Sequence, residues 1–301
     1  MIKARALRWL AVPVLMLLVL CAGLAAAGGQ GAAAQGARPT RTALAQVRQP
    51  RIMSINLCAD LMMLTLLPRD RIYSISYLAH DRVEQLMPGA DAGIPVNHGS
   101  AEDIAALDPD IILTGSFVPP AISRIAAMRG IRLVQVPEAN DFAAVRALTL
   151  ATGEALGAQG RAQALVRAMD AKLAWLAEHP VQKRPGIIVW SGDGGTPGAG
   201  TMSDAIINAA GGRNMGRELG SGPFVTFGIE ELLMLNPDLI LQSRTRWPGQ
   251  SLHERLEDHP VVKRMWQGRR VAFRDPAWGC GLPQSADAAV ALRRAFTGAG
   301  H

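Results

Sequence analysis

The sequence predicts an α/β fold of two Rossmann-like lobes with parallel sheets, joined by a single long helix. Three observations carry that expectation. Apolar residues fall at helical spacing at Phe142, Val145 and Leu148, and again at Leu165, Met169, Leu173 and Leu176. Gly157 and Gly160 interrupt the run, each costing about 1 kcal/mol relative to Ala inside a helix, so it divides into two helices. The second, from Gln159 to Glu178, is roughly 30 Å long at 1.5 Å per residue, about the width of a small domain. On either side of it the chain repeats itself: Glu102 to Leu113 and Glu230 to Leu241 align without a gap. Each copy reads as a short helix opened by Glu, a Pro-Asp turn and a wholly apolar strand of the buried, parallel kind. Strand and helix patterns alternate throughout, which implies sheets covered on both faces.

The expected boundaries are a signal peptide over 1–27, a flexible leader over 28–49, an N-terminal lobe over 50–157, the linking helix over 158–180 and a C-terminal lobe over 181–301. Lys3, Arg5 and Arg8 precede the apolar run Trp9 to Leu24, and Ala25-Ala26-Ala27 offers a small-residue cleavage site. The run is shorter than the ~20 residues a membrane span needs, and Pro13 interrupts it. A periplasmic protein is therefore expected. Cys21 follows Leu18-Val19-Leu20, whereas a lipoprotein signal places a small residue directly before its cysteine, so lipid attachment at Cys21 is not favoured. From the formal charge of +6, loss of Lys3, Arg5 and Arg8 leaves +3. With no basic run or aromatic-interleaved patch, nucleic acid is excluded as a partner.

In the first lobe, Arg51 to Ile55 and Arg71 to Ser76 read as strands, with a helix from Ala59 to Leu67 between them. Tyr77 then opens a long loop through His80, Pro88 and Pro95. The first Glu unit follows, its strand running into Thr114-Gly115-Ser116-Phe117, and a helix from Pro119 to Met128 and a strand from Ile131 to Val136 close the lobe. Ligands of parallel sheets bind outside the carboxyl ends of the strands, which here are the stretches starting at Asn56, Tyr77, Asn97 and Ser116.

The second lobe begins with a strand over 186–190 and a glycine-rich stretch from Ser191 to Thr201. It lacks the Gly-Lys-Ser/Thr ending of a phosphate loop and is read as a ligand-facing loop. A helix over 202–210, the second Glu unit, the loop Ser243-Arg244-Thr245-Arg246-Trp247, a strand over 270–273 and a loop from Asp275 to Gly281 precede a closing helix over 283–296. Trp190, Trp247 and Trp278 all follow strands, where flat side chains with a polar tip suit a large, partly apolar ligand. Trp175 and Trp266 are read as helix packing.

Cys58 and Cys280 remain after export, and the sequence leaves three roles open: two buried thiols, a disulfide between the lobes, or a pair of soft ligands. His80 and His98 offer axial nitrogens to a metal. Arg244 and Arg246 can pair with carboxylate or catecholate groups. A bare metal ion would need three or four clustered ligands, and no such spacing is present. An exported hydrolase built on Ser191-Gly192-Asp193 would lack the Gly-x-Ser-x-Gly elbow, so the chain is read as non-enzymatic.

Arg-Ile-Met-Ser-Ile-Asn at 51–56, Glu102 with Leu107-Asp108-Pro109-Asp110, and Glu230 with Leu235-Asn236-Pro237-Asp238 resemble the iron-siderophore and vitamin B12 type of periplasmic solute-binding protein, class III of that group. The resemblance covers Arg51 to Phe296. It implies capture of a ferric siderophore, haem or corrinoid between lobes that move little, with delivery to the permease of an ABC importer. Glu102 and Glu230, one per lobe, would dock onto basic permease residues; a first-turn carboxylate favoured by the helix dipole, worth about 0.3–1 kcal/mol, is the plainer role. Glu231 takes the place of Glu230 if the alignment slips by one. The candidate ligand contacts are Asn56, Cys58, Tyr77, His98, Ser116, Phe117, Trp190, Arg244, Trp247, Trp278 and Cys280, with no catalytic residue, no protein-held metal and no cofactor beyond a bound metal complex. The protein is expected to act as a monomer.

Overall fold

A computed structural model describes residues 48–191, 194–243, 255, 259–273 and 276–298. Every element below belongs to the unit Gln49–His301. The expected signal peptide, Cys21, the expected leader up to residue 47, and Arg244, Arg246 and Trp247 lie outside the described residues. Among the described residues no helix is long and apolar enough to cross a membrane.

The first lobe is built on β1 (Ile52–Ser54), β2 (Ile72–Ser76), β3 (Val96–Asn97), β4 (Ile111–Thr114) and β5 (Arg132–Gln135), all parallel and ordered β3-β2-β1-β4-β5. Every residue of β1 and β4 is buried, because helices cover both faces of the sheet. Ile52, Ile111 and Leu113 face the layer of α1 (Leu57–Leu66), while Met53 and Ile112 face that of α3 (Ala101–Leu107) and α4 (Pro120–Arg129). The second lobe repeats the plan with β6 (Gly186–Ser191), β8 (Arg213–Asn214), β10 (Leu239–Ser243) and β11 (Arg270–Ala272), parallel and ordered β11-β10-β6-β8. Its faces are covered by α7 (Met202–Ala209) and α11 (Ser285–Gly298) on one side, and by α8 (Ile229–Leu235) and α9 (Pro260–Met265) on the other.

Between the sheets run α5 (Phe142–Ala155) and α6 (Gln159–Glu178). Gly157, at φ +66°, makes the break between them, and Gly160 falls inside the first turn of α6. Leu148 of α5 packs against the cores of both lobes. The end of α6 is fastened by Arg293 of α11, a buried guanidinium that donates to the carbonyls of Leu176, His179 and Ala210. Desolvation lowers its pKa, and three carbonyl partners without a carboxylate suit a cation at a helix C-terminus.

The repeated units match atom for atom at their turns. Asp108 and Asn236, the helix C-caps, are the described non-glycine residues with left-handed backbones, at φ +45° and +42°. After each Pro, the aspartate closes a two-bond clasp on the first strand of its lobe. Asp110 accepts from the Arg51 amide at 2.6 Å and donates its own amide to the Arg51 carbonyl at 2.9 Å; Asp238 does the same with Gly186 at 2.7 and 2.8 Å. The clasp aligns the start of each apolar strand with its central neighbour, pairing Ile52 with Ile111 and Ile187 with Leu239.

Several sequence expectations are corrected. The long loop after Tyr77 contains a helix, α2 (His80–Leu86), anchored by buried Val83. The glycine-rich stretch forms β7 (Gly195–Pro197), paired antiparallel with β9 (Phe224–Thr226), and the loop before Cys280 contains α10 (Pro276–Gly279). Trp175 does not pack inward: it is 43% exposed and stacks on His179 one helical turn away. Trp266 is buried and donates its indole N–H to the Pro237 carbonyl at 2.8 Å, satisfying its polar tip.

Asp60 of α1 is fully buried beneath the strand ends, where it accepts from the Ser76 amide at 3.1 Å and from the Ser76 hydroxyl. With hydroxyls and one amide for partners, desolvation dominates and pushes its pKa from 3.8 to about 7. A carboxyl whose folded pKa is raised stabilises the fold below the unfolded pKa, and that contribution is lost as pH rises through the folded value. The span from 3.8 to about 7 is worth up to about 4 kcal/mol. Denaturant unfolding at pH 4, 6 and 8 should show Asp60→Asn gaining on the parent protein as pH rises. Parallel pH profiles for the two proteins would refute the assignment.

Candidate ligand-binding site at the strand ends

In the first lobe the carboxyl ends of four strands converge on one surface. Tyr77, one residue past β2, is 54% exposed and stacks on His98, one residue past β3, with ring centroids 5.2 Å apart and planes inclined by 25°. Ser116 and Phe117, past β4, are also exposed, Phe117 at 76%. The pair is positioned from below by Asn97, a fully buried residue absent from the candidates. Its amide nitrogen lies within hydrogen-bond reach of the carbonyls of Ser54 and Ile75 and of the Ser74 hydroxyl, at 2.8–3.0 Å, while its oxygen accepts from the Gly99 amide. One side chain thus ties the ends of β1, β2 and β3. A strand followed by Asn-His-Gly was the available signal, since an asparagine at a sheet terminus can satisfy several backbone groups at once. The Tyr77 amide donates to the Asn97 carbonyl at 2.8 Å, and the His98 amide to Asp103 at 2.9 Å.

Asn56 caps α1, its side-chain oxygen accepting from the amides of Cys58 and Ala59 at 3.0 and 3.2 Å. That leaves only its amide nitrogen, which lies against Gly115: a Cβ there would stand 2.7 Å from it. His80 holds Asp91, with Nδ1 at 2.7 Å from the carboxylate, and the hydrogen bond to Asp91 raises its pKa.

The second lobe contributes differently from the expectation. Trp190 lies within β6 and not beyond it. Side chains alternate along a strand, so Ile188 and Trp190 share one face and enter the core, where Trp190 is 1% exposed and meets Phe227 edge-on at 5.3 Å. Trp278, on α10, is 5% exposed and packs on Phe273 at 5.0 Å. It lines a hollow of about 450 Å³ with Leu86, Val271, Phe273, Gln284 and Asp287, which none of Tyr77, His98, Ser116 and Phe117 lines. Neither tryptophan presents a free face at the strand ends. Cys58 and Cys280 form a disulfide, so neither is a thiolate ligand and the choice among their three roles is decided. Among the described residues, no three His, Cys, Asp or Glu side chains converge on a point.

The first-turn acids divide by role in both copies of the repeat. Asp103 closes a capping box with Ser100 and also accepts from the His98 amide, and these backbone bonds hold its pKa below the usual carboxylate value. Glu231 occupies the same position and accepts from the Gly228 amide at 2.8 Å, which lowers its pKa likewise. Glu102 and Glu230, one residue earlier, are exposed. The gap-free alignment therefore stands, and Glu231 does not replace Glu230.

Residues 69–267 match the family model described as periplasmic binding protein. The cobalamin-binding protein of Halobacterium salinarum is 25% identical over 212 residues, which are 67% of this chain and 56% of that relative, so the chain spans little more than half of the relative's length. The periplasmic heme-binding protein RhuT from Roseiflexus sp. RS-1 superposes with a TM-score of 0.67 at 21% identity, covering 84% of this chain and all of that one. The molybdate-binding protein MolA of Haemophilus influenzae gives 0.67 at 17% identity, covering 83% and 86%. At these identities the solved structures share the fold, and the ligands their names give, heme and molybdate, differ.

Gly115→Ala should displace Asn56 and loosen the cap of α1, costing about 1 kcal/mol and lowering the Tm by about 2–4 °C. Calorimetry of the two proteins would check it, and an unchanged Tm would mean that Asn56 moves aside without losing the cap.

Proposed function

The chain belongs to the periplasmic binding protein family, and on that premise we propose that it captures a metal complex of the tetrapyrrole kind, haem or corrinoid, and hands it to an ABC importer. The observation that carries this reading is the stacked Tyr77 and His98 pair at the ends of the neighbouring strands β2 and β3, with exposed Phe117 past β4 of the same sheet. Large apolar rings standing in water are costly without a partner, and a flat conjugated ligand is the partner their faces fit. His98 and Tyr77 also offer a ring nitrogen and a phenol oxygen, either of which can approach a metal held by the ligand itself. The names of the similar proteins, which include haem-binding and cobalamin-binding ones, point to the same ligand class. Export through residues 1–27 and action in the periplasm belong to this reading.

The exposed first-turn carboxylates support the delivery step. Glu102 and Glu230 stand at equivalent points of the two lobes, and their neighbours Asp103 and Glu231 already satisfy the helix ends. A matched pair of unspent negative charges suits a permease surface carrying two matched basic patches.

Titration of the protein with hemin, cyanocobalamin and a panel of ferric siderophores, followed by ligand absorbance and tryptophan fluorescence, tests the capture step. One tetrapyrrole should bind with a Kd of about 1 μM or tighter, and Tyr77→Ala or His98→Ala should weaken it about tenfold or more, while Trp190→Phe leaves it unchanged. Binding of siderophores alone would overturn the ligand class. For delivery, Glu102→Ala combined with Glu230→Ala should cut importer-coupled uptake at least about tenfold with ligand affinity intact. Full uptake with collapsed affinity would show that these residues serve the ligand instead.

A further inference from the structure

The linking helices are not the only connection between the lobes. After β11 the chain passes through α10, and Ala277 and Trp278 still pack in the core of the second lobe. Cys280 and Leu282, at 5% and 1% exposure, are already inside the core of the first lobe, among Ala59, Met62 and Leu66 of α1. Gly281 between them passes so close to the loop before α5 that a Cβ would stand 2.3 Å from the Ala139 carbonyl oxygen. Gln284 then reaches Thr65 of α1, donating from its amide nitrogen at 3.0 Å. Across this strap runs the Cys58–Cys280 disulfide, joining residues 222 apart in sequence, with Cα atoms 5.3 Å apart.

The position of the strap matters as much as its strength. Gln284 of the strap and Arg161 of α6 both reach Thr65 of α1, so this end of the strap lies beside the linking helices. Two bodies joined at one place can bend and twist about every axis through it. Joined at two places, they keep only rotation about the line between the two attachments. We infer that the strap 280–284, closed by the Cys58–Cys280 bond, is a second hinge pin that suppresses twisting of the lobes and leaves opening about one axis. The oxidation state of the bond then sets the freedom of the lobes. Reduction by dithiothreitol breaks the S–S bond with two electrons and two protons, giving two thiols while the reagent closes to its cyclic disulfide.

The test needs no ligand, so it stands apart from the functional proposal. The whole protein is compared oxidised, reduced, and as Cys58→Ser with Cys280→Ser, by far-UV circular dichroism, small-angle scattering and hydrogen exchange. The expected result is retained ellipticity, a broadened interatomic distance distribution, and exchange about tenfold faster or more at the amides of Cys280 and Ser285, which donate to the carbonyls of Pro276 and Leu282. Leu282→Ala with the disulfide intact should leave the scattering profile as in the parent. Unchanged scattering and exchange with two thiols free would overturn the proposal. So would loss of ellipticity on reduction, which makes the bond a staple of the fold, or broadening in Leu282→Ala equal to that of the reduced protein, which assigns the restraint to packing.

Discussion

The two large sheets are parallel and covered on both faces, and from that constraint the placements of Tyr77 and Trp190 follow. A residue inside such a strand has only two directions for its side chain, and both lead into a core. A residue just past the strand end is free of that choice. Tyr77 stands one position beyond β2 and is exposed, whereas Trp190 stands one position before the end of β6 and is buried beside Trp266. The chemical natures of the two rings are similar. Their offsets from the last strand residue decide which one meets solvent.

The same economy governs the acids of the repeat. The first turn of a helix has more amides than partners, and a carboxylate at the third position can reach back to the cap residue. Asp103 and Glu231 are spent in this way, which explains their lowered pKa values and leaves the preceding Glu102 and Glu230 without that duty. The Asp110 and Asp238 clasps complete the unit. A carboxylate accepting an amide at the start of the lobe's first strand fixes the register of strands whose apolar sequences alone would tolerate slippage. Evolution of one lobe into two by duplication would preserve these backbone-directed carboxylates for structural reasons alone, so their recurrence speaks to the fold, while the exposed glutamates need another explanation.

Much of the architecture was legible because it rests on local chemistry. Helical spacing marked α5 and α6, and the Pro-Asp turns marked the two apolar strands. What stayed hidden depends on residues distant in sequence. The strands β3 and β8 are two residues each and exist through their sheet neighbours, and β7 is a strand only because β9 pairs with it. α2 begins without a side-chain cap, so no start signal preceded it. Tyr77, His98 and Phe117 stand exposed just past strand ends, where the strand-end rule looked, whereas Asn97 was named only as the start of such a stretch, because its bonds go to three acceptors on two other strands. Trp190 was misplaced because a strand boundary read to within a residue or two is too coarse to tell the inside of a strand from its end, and Trp278 because a short helix in the loop after β11 turns it onto Phe273.

The lobes also share material, and that limits how they can part. Leu148 packs against both cores, and Leu282 of the second lobe is buried in the first. Pulling the lobes apart along this side would expose apolar surface at about 25 cal/mol per Å², a cost that adds to the restraint of the Cys58–Cys280 bond. Among the described residues no such layer covers Tyr77, His98 and Phe117, which are exposed. Movement that opens the molecule there costs little surface energy, whereas movement at the shared layer costs a great deal. The hinge and the mouth of the site are thus fixed by where apolar surface is shared and where it is left bare.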